Sequence, residues 1–220
     1  MPLILSSMVV ALAAVPVAGA ATSTSNRHSN KVSCQAIGLA IPLVGKKDNI
    51  GVANKRPTPC RTKKAFLEHV TSSTTIPIHV NAVIGRTWYF GSRRRGKRAV
   101  ALGRVAHAVI GVKKGKKTSI DVGAVSSKII DSCVAKGGRM RLESSMKSYV
   151  LNLTVAGKKY SGSKTKKIVV PHLLTIWLNR TVKQGNTLIR RGVQIDLAGK
   201  PAVILGQAMV SAKAGACARR

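Results

Sequence analysis

Residues able to do chemistry are sparse in this chain. Its five histidines stand singly at His28, His69, His79, His107 and His172, and it has only 6 acids. Nucleophilic catalysis needs a nucleophile, a base and an orienting group brought together. Serines are plentiful, but no GxSxG elbow occurs, and YSGSK (160–164) reads as a loop. Paired carboxylates would serve acid–base work. Asp121 and Asp131 share one segment and Asp196 lies in another, and among so many cations each is expected to have a basic neighbour. His79 and His107 read as strand residues. Neither GxGxxG nor the phosphate-cradling GxxxxGK[ST] is present. The expectation is no enzyme, no cofactor and no small-molecule substrate.

One constellation has more content. In RTWYFGSRRRGKR (86–98) three aromatic residues stand beside a basic run. On a strand Trp88 and Phe90 project to one face and Tyr89 to the other. Aromatic platforms beside cations suit single-stranded nucleic acid, and also glycan polymers bearing phosphate or uronate. The bland alternative has Trp88 and Phe90 anchoring the core while the basic residues line a turn. The candidate polyanion-binding residues are Arg93, Arg94, Arg95, Lys97 and Arg98, then Lys113, Lys114, Lys116 and Lys117, and Lys166 and Lys167. Trp88 and Phe90 are the candidate stacking residues.

Stepping outward from these residues, charge is the outlier of the whole sequence. Of 220 residues, 38 are Lys or Arg, the net charge is +32, and 45% are hydrophobic. Such a field draws polyanions: wall polymers, nucleic acid or anionic lipid. Disordered chains combine high charge with low hydrophobicity; here the hydrophobic share is ordinary, so a folded chain with charged loops is expected.

MPLILSSMVVALAAVPVAGA (1–20) has an apolar core from Leu3 to Val17 and a small-x-small site at Ala18–Ala20. It reads as a secretory signal peptide, although the usual basic n-region is missing. A polar arm (21–33), one domain (34–217) and a basic tail (218–220) are expected to follow, without a transmembrane anchor. Four cysteines, Cys34, Cys60, Cys133 and Cys217, fit an exported, disulfide-bonded chain. Of three possible connectivities, Cys34–Cys60 with Cys133–Cys217 is favoured. With no CxxC pair and scattered histidines, no metal site is expected.

The dominant period is two. Ile76, Ile78, Val80, Ala82 and Ile84 fall on one face of IPIHVNAVI; Tyr149, Leu151, Leu153 and Val155 alternate in YVLNLTV; Ile189, Val193, Ile195 and Leu197 oppose Arg190, Gln194 and Asp196. AGKK (156–159), KQGN (183–186) and AGK (198–200) supply turn residues. CRTKKAFLEHV (60–70) is expected to be a short helix or irregular. The pattern predicts an all-β, antiparallel β-sandwich of roughly seven to nine strands. Its basic clusters sit at strand boundaries, so part of the charge should gather at the two ends. The stretch Ala99–Val112 reads as one long core strand with a cationic loop at each end.

The order of TSIDVGAVSSKIIDSC (118–133), YVLNLTVAGKKY (149–160), LLTIWLNRTV (173–182) and LIRRGVQIDLAGKPAVILGQAMVSAKAGAC (188–217), with CQAIGL at 34–39, resembles the choice-of-anchor P family of exported bacterial proteins. The resemblance covers roughly Cys34 to Cys217 and implies a secreted, β-rich protein without a catalytic signature. The chain departs from that family's pattern in its excess of Lys and Arg.

The expected function is therefore that of a secreted, non-enzymatic β-sandwich of the cell envelope or exterior, retained by electrostatic binding to anionic wall polymers. The alternative is a polyanion-binding effector acting on nucleic acid or anionic membrane, with Trp88, Tyr89 and Phe90 beside the basic loop.

Overall fold

A computed structural model describes residues 32–44, 46–55, 58–72, 76–92, 96–114, 116–213 and 215–217. The expected leader (1–20), most of the arm, Arg93, Arg94, Arg95 and the tail (218–220) lie outside the described residues. So do the side chains of Lys113, Lys114, Lys116 and Lys117.

The alternating apolar runs form β1 (Val32–Val44), β2 (Lys46–Ala53), β3 (Lys63–Ser72), β4 (Ile78–Ser92), β5 (Gly96–Lys114) and β6 (Lys116–Lys136). They continue as β7 (Arg139–Val155), β8 (Lys158–Tyr160), β9 (Lys167–Val170), β10 (Leu174–Gln184), β11 (Thr187–Leu197) and β12 (Lys200–Ala212). All pairings between them are antiparallel, in two six-stranded sheets. The first has the order β2-β1-β12-β11-β10-β9 and the second β3-β4-β5-β6-β7-β8. The chain is an all-β sandwich. The second sheet is an uninterrupted meander, and the first is closed by the two ends of the described chain where β1 meets β12. Consecutive positive-φ residues make tight turns at Ala156–Gly157 and Ala198–Gly199, as two-residue hairpins require.

Two expectations need correction. Twelve strands form among the described residues rather than roughly seven to nine, because β8 and β9 have only 3 and 4 residues, too short to show a period, and β3 falls where no strand is expected. The segment expected to be helical or irregular supplies β3, an edge strand with Phe66 and Leu67 exposed. Its apolar residues follow neither period clearly, and pairing with β4 decides its state.

A third correction concerns the faces. In β4 the buried residues are Ile78 and Val80, then Val83 and Thr87. The inward parity thus changes near Asn81. β5 changes between Val105 and Ala108, and β6 between Val122 and Val125. In the register these points form one row, through His69, Asn81, His107, Gly123 and Asn152. His69, His107 and Asn152, on alternate strands, have φ of 50°, 38° and 52°. A left-handed residue inserted in a strand reverses the side on which the following side chains emerge. The first sheet has a matching crease through Gly51, Gly38, Gly206, Gly192 and Asn179, with φ of 65° at Gly51, 62° at Gly206 and 53° at Asn179. Ile84, Tyr149 and Ile189 therefore do not share a face with Ile78, Leu153 and Val193, as uninterrupted alternation had implied.

Along the crease of the first sheet, Gly85 and Gly103 of the second bring the two backbones into contact. A Cβ on Gly103 would lie 2.5 Å from the Ile37 carbonyl and 2.6 Å from the Gln207 amide nitrogen. One on Gly85 would lie 2.1 Å from the Gly51 carbonyl. This waist divides the interior. On one side is a large aliphatic core that includes Leu39, Ile78, Ile110, Ile120, Leu153, Ile176 and Leu205. On the other is a small core of Ala36, Ala53, Ala99, Ala101, Ala208 and Ala216 around Ile129 and Val210. Small side chains remove little apolar area from water. Both disulfides stand at this weaker end: Cys34–Cys60 and Cys133–Cys217, the favoured pairing, with separations of 26 and 84 residues. Each contributes roughly 2–4 kcal/mol in the chain-entropy account.

The waist makes a definite prediction. Gly103→Ala should lower the unfolding free energy by about 1–3 kcal/mol or more, because backbone atoms cannot yield. Gly91→Ala, whose Cβ would be 3.4 Å from the Tyr89 ring, should change it little. Urea unfolding of both variants checks this; equal midpoints would contradict the close approach.

Candidate polyanion-binding face

Below the crease, on the side of the small core, the parity change sends the even-numbered residues of β4, β5 and β6 outward. Register then assembles them into rows. Lys64 pairs with Arg86, Arg86 with Leu102, Leu102 with Lys128, and Lys128 with Lys147. The neighbouring row runs Phe66, Ile84, Arg104, Ser126, Tyr149. On the other side come Trp88, Val100, Ile130, Ser145, and then Phe90, Arg98, Ser132, Glu143. Six cations thus alternate with four aromatic rings, and Glu68 and Glu143 are the acids on the same area. At about 4.8 Å per strand and about 3.3 Å per residue, the area measures roughly 20 Å by 20 Å.

The rings are available. Phe90 is 56% exposed, Phe66 46% and Tyr149 44%. Trp88 is half-buried and carries the Arg86 guanidinium 4.3 Å from its centroid, while Lys64 stands 5.7 Å from the Phe66 centroid. Such cation–π contacts hold the charged groups over the sheet. Arg104 donates from Nε to Ser126 Oγ at 3.4 Å.

Of the residues singled out in the sequence, this face gathers Trp88, Phe90 and Arg98. The core-anchor alternative for Trp88 and Phe90 does not hold: Tyr89 is the ring that packs on the small core, and burial raises its phenol pKa. Lys97 is on the opposite side, donating to the Ala216 carbonyl at 3.2 Å. Lys166 and Lys167 are exposed at the β9 edge of the other sheet. Lys113 pairs with Lys117 and Lys114 with Lys116 at the far end of β5 from Arg98. Sequence reasoning missed Lys64, Phe66, Arg86, Arg104, Lys128, Lys147 and Tyr149 as partners, since only register across five strands unites them. The asparagines, histidines and glycines at the creases were the available signal.

Two of the histidines have side-chain partners. His107 Nε2 lies 3.3 Å from Asp121 Oδ1, both side chains about half exposed, and its Nδ1 faces Asn81 Nδ2 at 3.4 Å rather than a hydroxyl. His79 Nδ1 meets Thr71 Oγ1 at 3.3 Å. Among the described residues no group of three or more His, Cys, Asp or Glu is arranged to hold a metal ion. A cleft of about 510 Å³ adjoins the face at Tyr149 and is lined further by Leu151, Lys159, Tyr160, Ser161 and Asn179, without a carboxylate or histidine. No family model matches the chain, and no curated protein or solved structure is significantly similar to it.

Asp131, 3% exposed beside the small core, has its carboxyl pKa raised by burial, partly offset by a hydrogen bond with Ser144. The raised value means that the folded state holds this proton more tightly than the unfolded chain. That stabilisation is complete below the ordinary carboxylate range near 3.9 and is lost as pH rises through the folded value. Asp131→Asn should therefore gain stability relative to wild type as pH rises from about 4 to 7. Denaturant titrations across that range measure it; a difference that does not change with pH would contradict the assignment.

Proposed function

We propose that this is an exported, non-enzymatic β-sandwich that binds extended polyanions on the outer face of its second sheet and is retained on anionic, phosphate-bearing polymers of the cell envelope or exterior. The observation that carries the reading is the interleaving of Lys64, Arg86, Arg98, Arg104, Lys128 and Lys147 with Phe66, Trp88, Phe90 and Tyr149 on one open sheet surface. Cations at cross-strand and two-residue spacings match a chain of repeated charges, and displaced counterions supply the free energy. Two disulfides suit an oxidising compartment, and no helix among the described residues is long and apolar enough to cross a membrane. Kinship with the choice-of-anchor P family belongs to the same reading and rests on the strand patterns of the sequence.

A second reading, single-stranded nucleic acid, is favoured by one specific observation, the exposure of the Phe66, Phe90 and Tyr149 rings. Bases stack on such rings at about 1–3 kcal/mol each, and a glycerol-phosphate chain offers nothing to stack.

Binding to poly(glycerol phosphate), single-stranded DNA and anionic vesicles, each between about 50 and 200 mM salt, ranks the partners. Retention on the glycerol-phosphate polymer at low salt, released at high salt, is expected. The variant Arg86→Gln/Arg98→Gln/Lys128→Gln should reduce the magnitude of the log–log salt slope by about two to three. Phe66→Ala/Phe90→Ala should leave that polymer unaffected but weaken DNA binding at least tenfold if stacking contributes. Binding that ignores salt, or a triple variant identical to wild type, would sink the assignment.

A further inference from the structure

The opposite outer surface, on the first sheet, carries a second cluster that the polyanion face does not use. Ile176, Leu178, Val193 and Ile195 point into the large core, so Trp177, Gln194 and Asp196 point away from it. Beyond the crease at Asn179 and Gly192, Arg180 and Arg191 emerge on that same outer side, directly opposite each other in the β10–β11 register. Like charges directly opposed on a sheet face destabilise it. Lys167 Nζ and Arg180 Cζ each stand 4.8 Å from the Trp177 ring centroid.

The one acid here does not neutralise them. Asp196 Oδ2 accepts from Trp177 Nε1 at 2.8 Å, and Oδ1 accepts from Gln194 Nε2 at 2.6 Å. Arg180 reaches that carboxylate only at 4.0 Å and makes no hydrogen bond among the described residues. Arg191 donates from Nε to Gln207 Oε1 at 2.8 Å and from Nη1 to Gln194 Oε1 at 2.6 Å. Both acceptors are neutral amides, nearly buried, with Gln194 1% and Gln207 6% exposed. The amides fix the guanidinium in place without cancelling its charge. Burial and the nearby Arg180 push the Arg191 pKa down, with Asp196 partly opposing them. Three cations, one committed acid and a locked guanidinium make a site for a tetrahedral oxyanion, which a guanidinium pair can grip through several donors at once.

We propose that Lys167 and Arg180, both held against Trp177, form with the amide-locked Arg191 a second binding site for a phosphodiester group, and that one molecule thereby bridges two polyanion strands, one on each outer face. This rests on the reading of the second sheet as a polyanion face. Near the waist the two backbones touch, but long basic side chains reaching outward from both sheets still hold the charged groups on the two outer surfaces on the order of 15 Å apart. That exceeds the Debye length of about 8–10 Å near physiological salt, so two strands bind without strong mutual repulsion.

Strand stoichiometry tests it, using short oligothymidylate in one arm and short poly(glycerol phosphate) in the other to separate the two sources of phosphodiester. Sedimentation of the intact, disulfide-bonded protein should give two strands per molecule. Lys167→Gln/Arg180→Gln, and separately Arg180→Glu, should give one strand, bound within about twofold of the wild-type affinity for its tighter site. Circular dichroism and the unfolding midpoint check that each variant is folded. Wild type that binds only one strand, or first-sheet variants that still bind two, would overturn the proposal. A second-sheet variant, Arg86→Gln/Arg98→Gln/Lys128→Gln, that keeps two strands would instead overturn the assignment of the second-sheet face and leave this site standing.

Discussion

At Gly85 and Gly103 the two sheets touch backbone to backbone, and Gly38 beside them leaves its space to the Val83 side chain. A sandwich normally keeps its sheets about 10 Å apart by filling the gap with side chains. Here the glycines remove that spacer along a line that follows the crease of the first sheet and crosses the second sheet at Gly85 and Gly103, four residues from its own crease at Asn81 and His107. The creases reverse the inward parity of the strands. Consequently one half of the molecule buries long aliphatic residues and the other buries alanines. The second half has little hydrophobic area to hold it, and both disulfides are there. The third consequence is functional: residues that alternation alone would bury, Trp88 and Phe90 among them, emerge on the outer surface.

A chain of net charge +32 also has to place its cations where they repel least. Many lie in mid-strand positions, spread over the two outer faces, beside the part that the sequence suggested for the ends. Long basic side chains cover apolar sheet surface with their methylene stems, which suits an outer face where Val100 and Leu102 are nearly buried. Cation–π contacts at Trp88, Phe66 and Trp177 recur on both faces. Self-repulsion of this kind would be relieved by an anionic partner, so the proposed binding couples to stability.

Much of the architecture was legible in the sequence. Period-two runs in IPIHVNAVI and YVLNLTV, and turn residues at Ala156–Gly157 and Ala198–Gly199, marked an antiparallel β-sandwich, and the cysteine positions suited the two bridges that form. The creases were not legible. A left-handed His107 or Asn152 inside a strand leaves no periodic trace, and a glycine such as Gly103 looks the same whether it marks a bulge or a close approach. Every face assignment that ran across a crease failed for that reason, including the placement of Tyr149 with Leu153. The candidate site was legible only in fragments: Trp88, Phe90 and Arg98 stand close in sequence, whereas Lys64, Lys128 and Lys147 join them solely through cross-strand register.

The central claim is that the crease turns a cation–aromatic surface outward and that this surface meets the polymer. Lysine-reactivity footprinting by mass spectrometry, with and without poly(glycerol phosphate), tests it most directly. The account predicts strong protection of Lys64, Lys128 and Lys147, with the exposed Lys55, Lys183 and Lys200 still reactive. Equal protection of all six lysines, or protection of the second three alone, would contradict it.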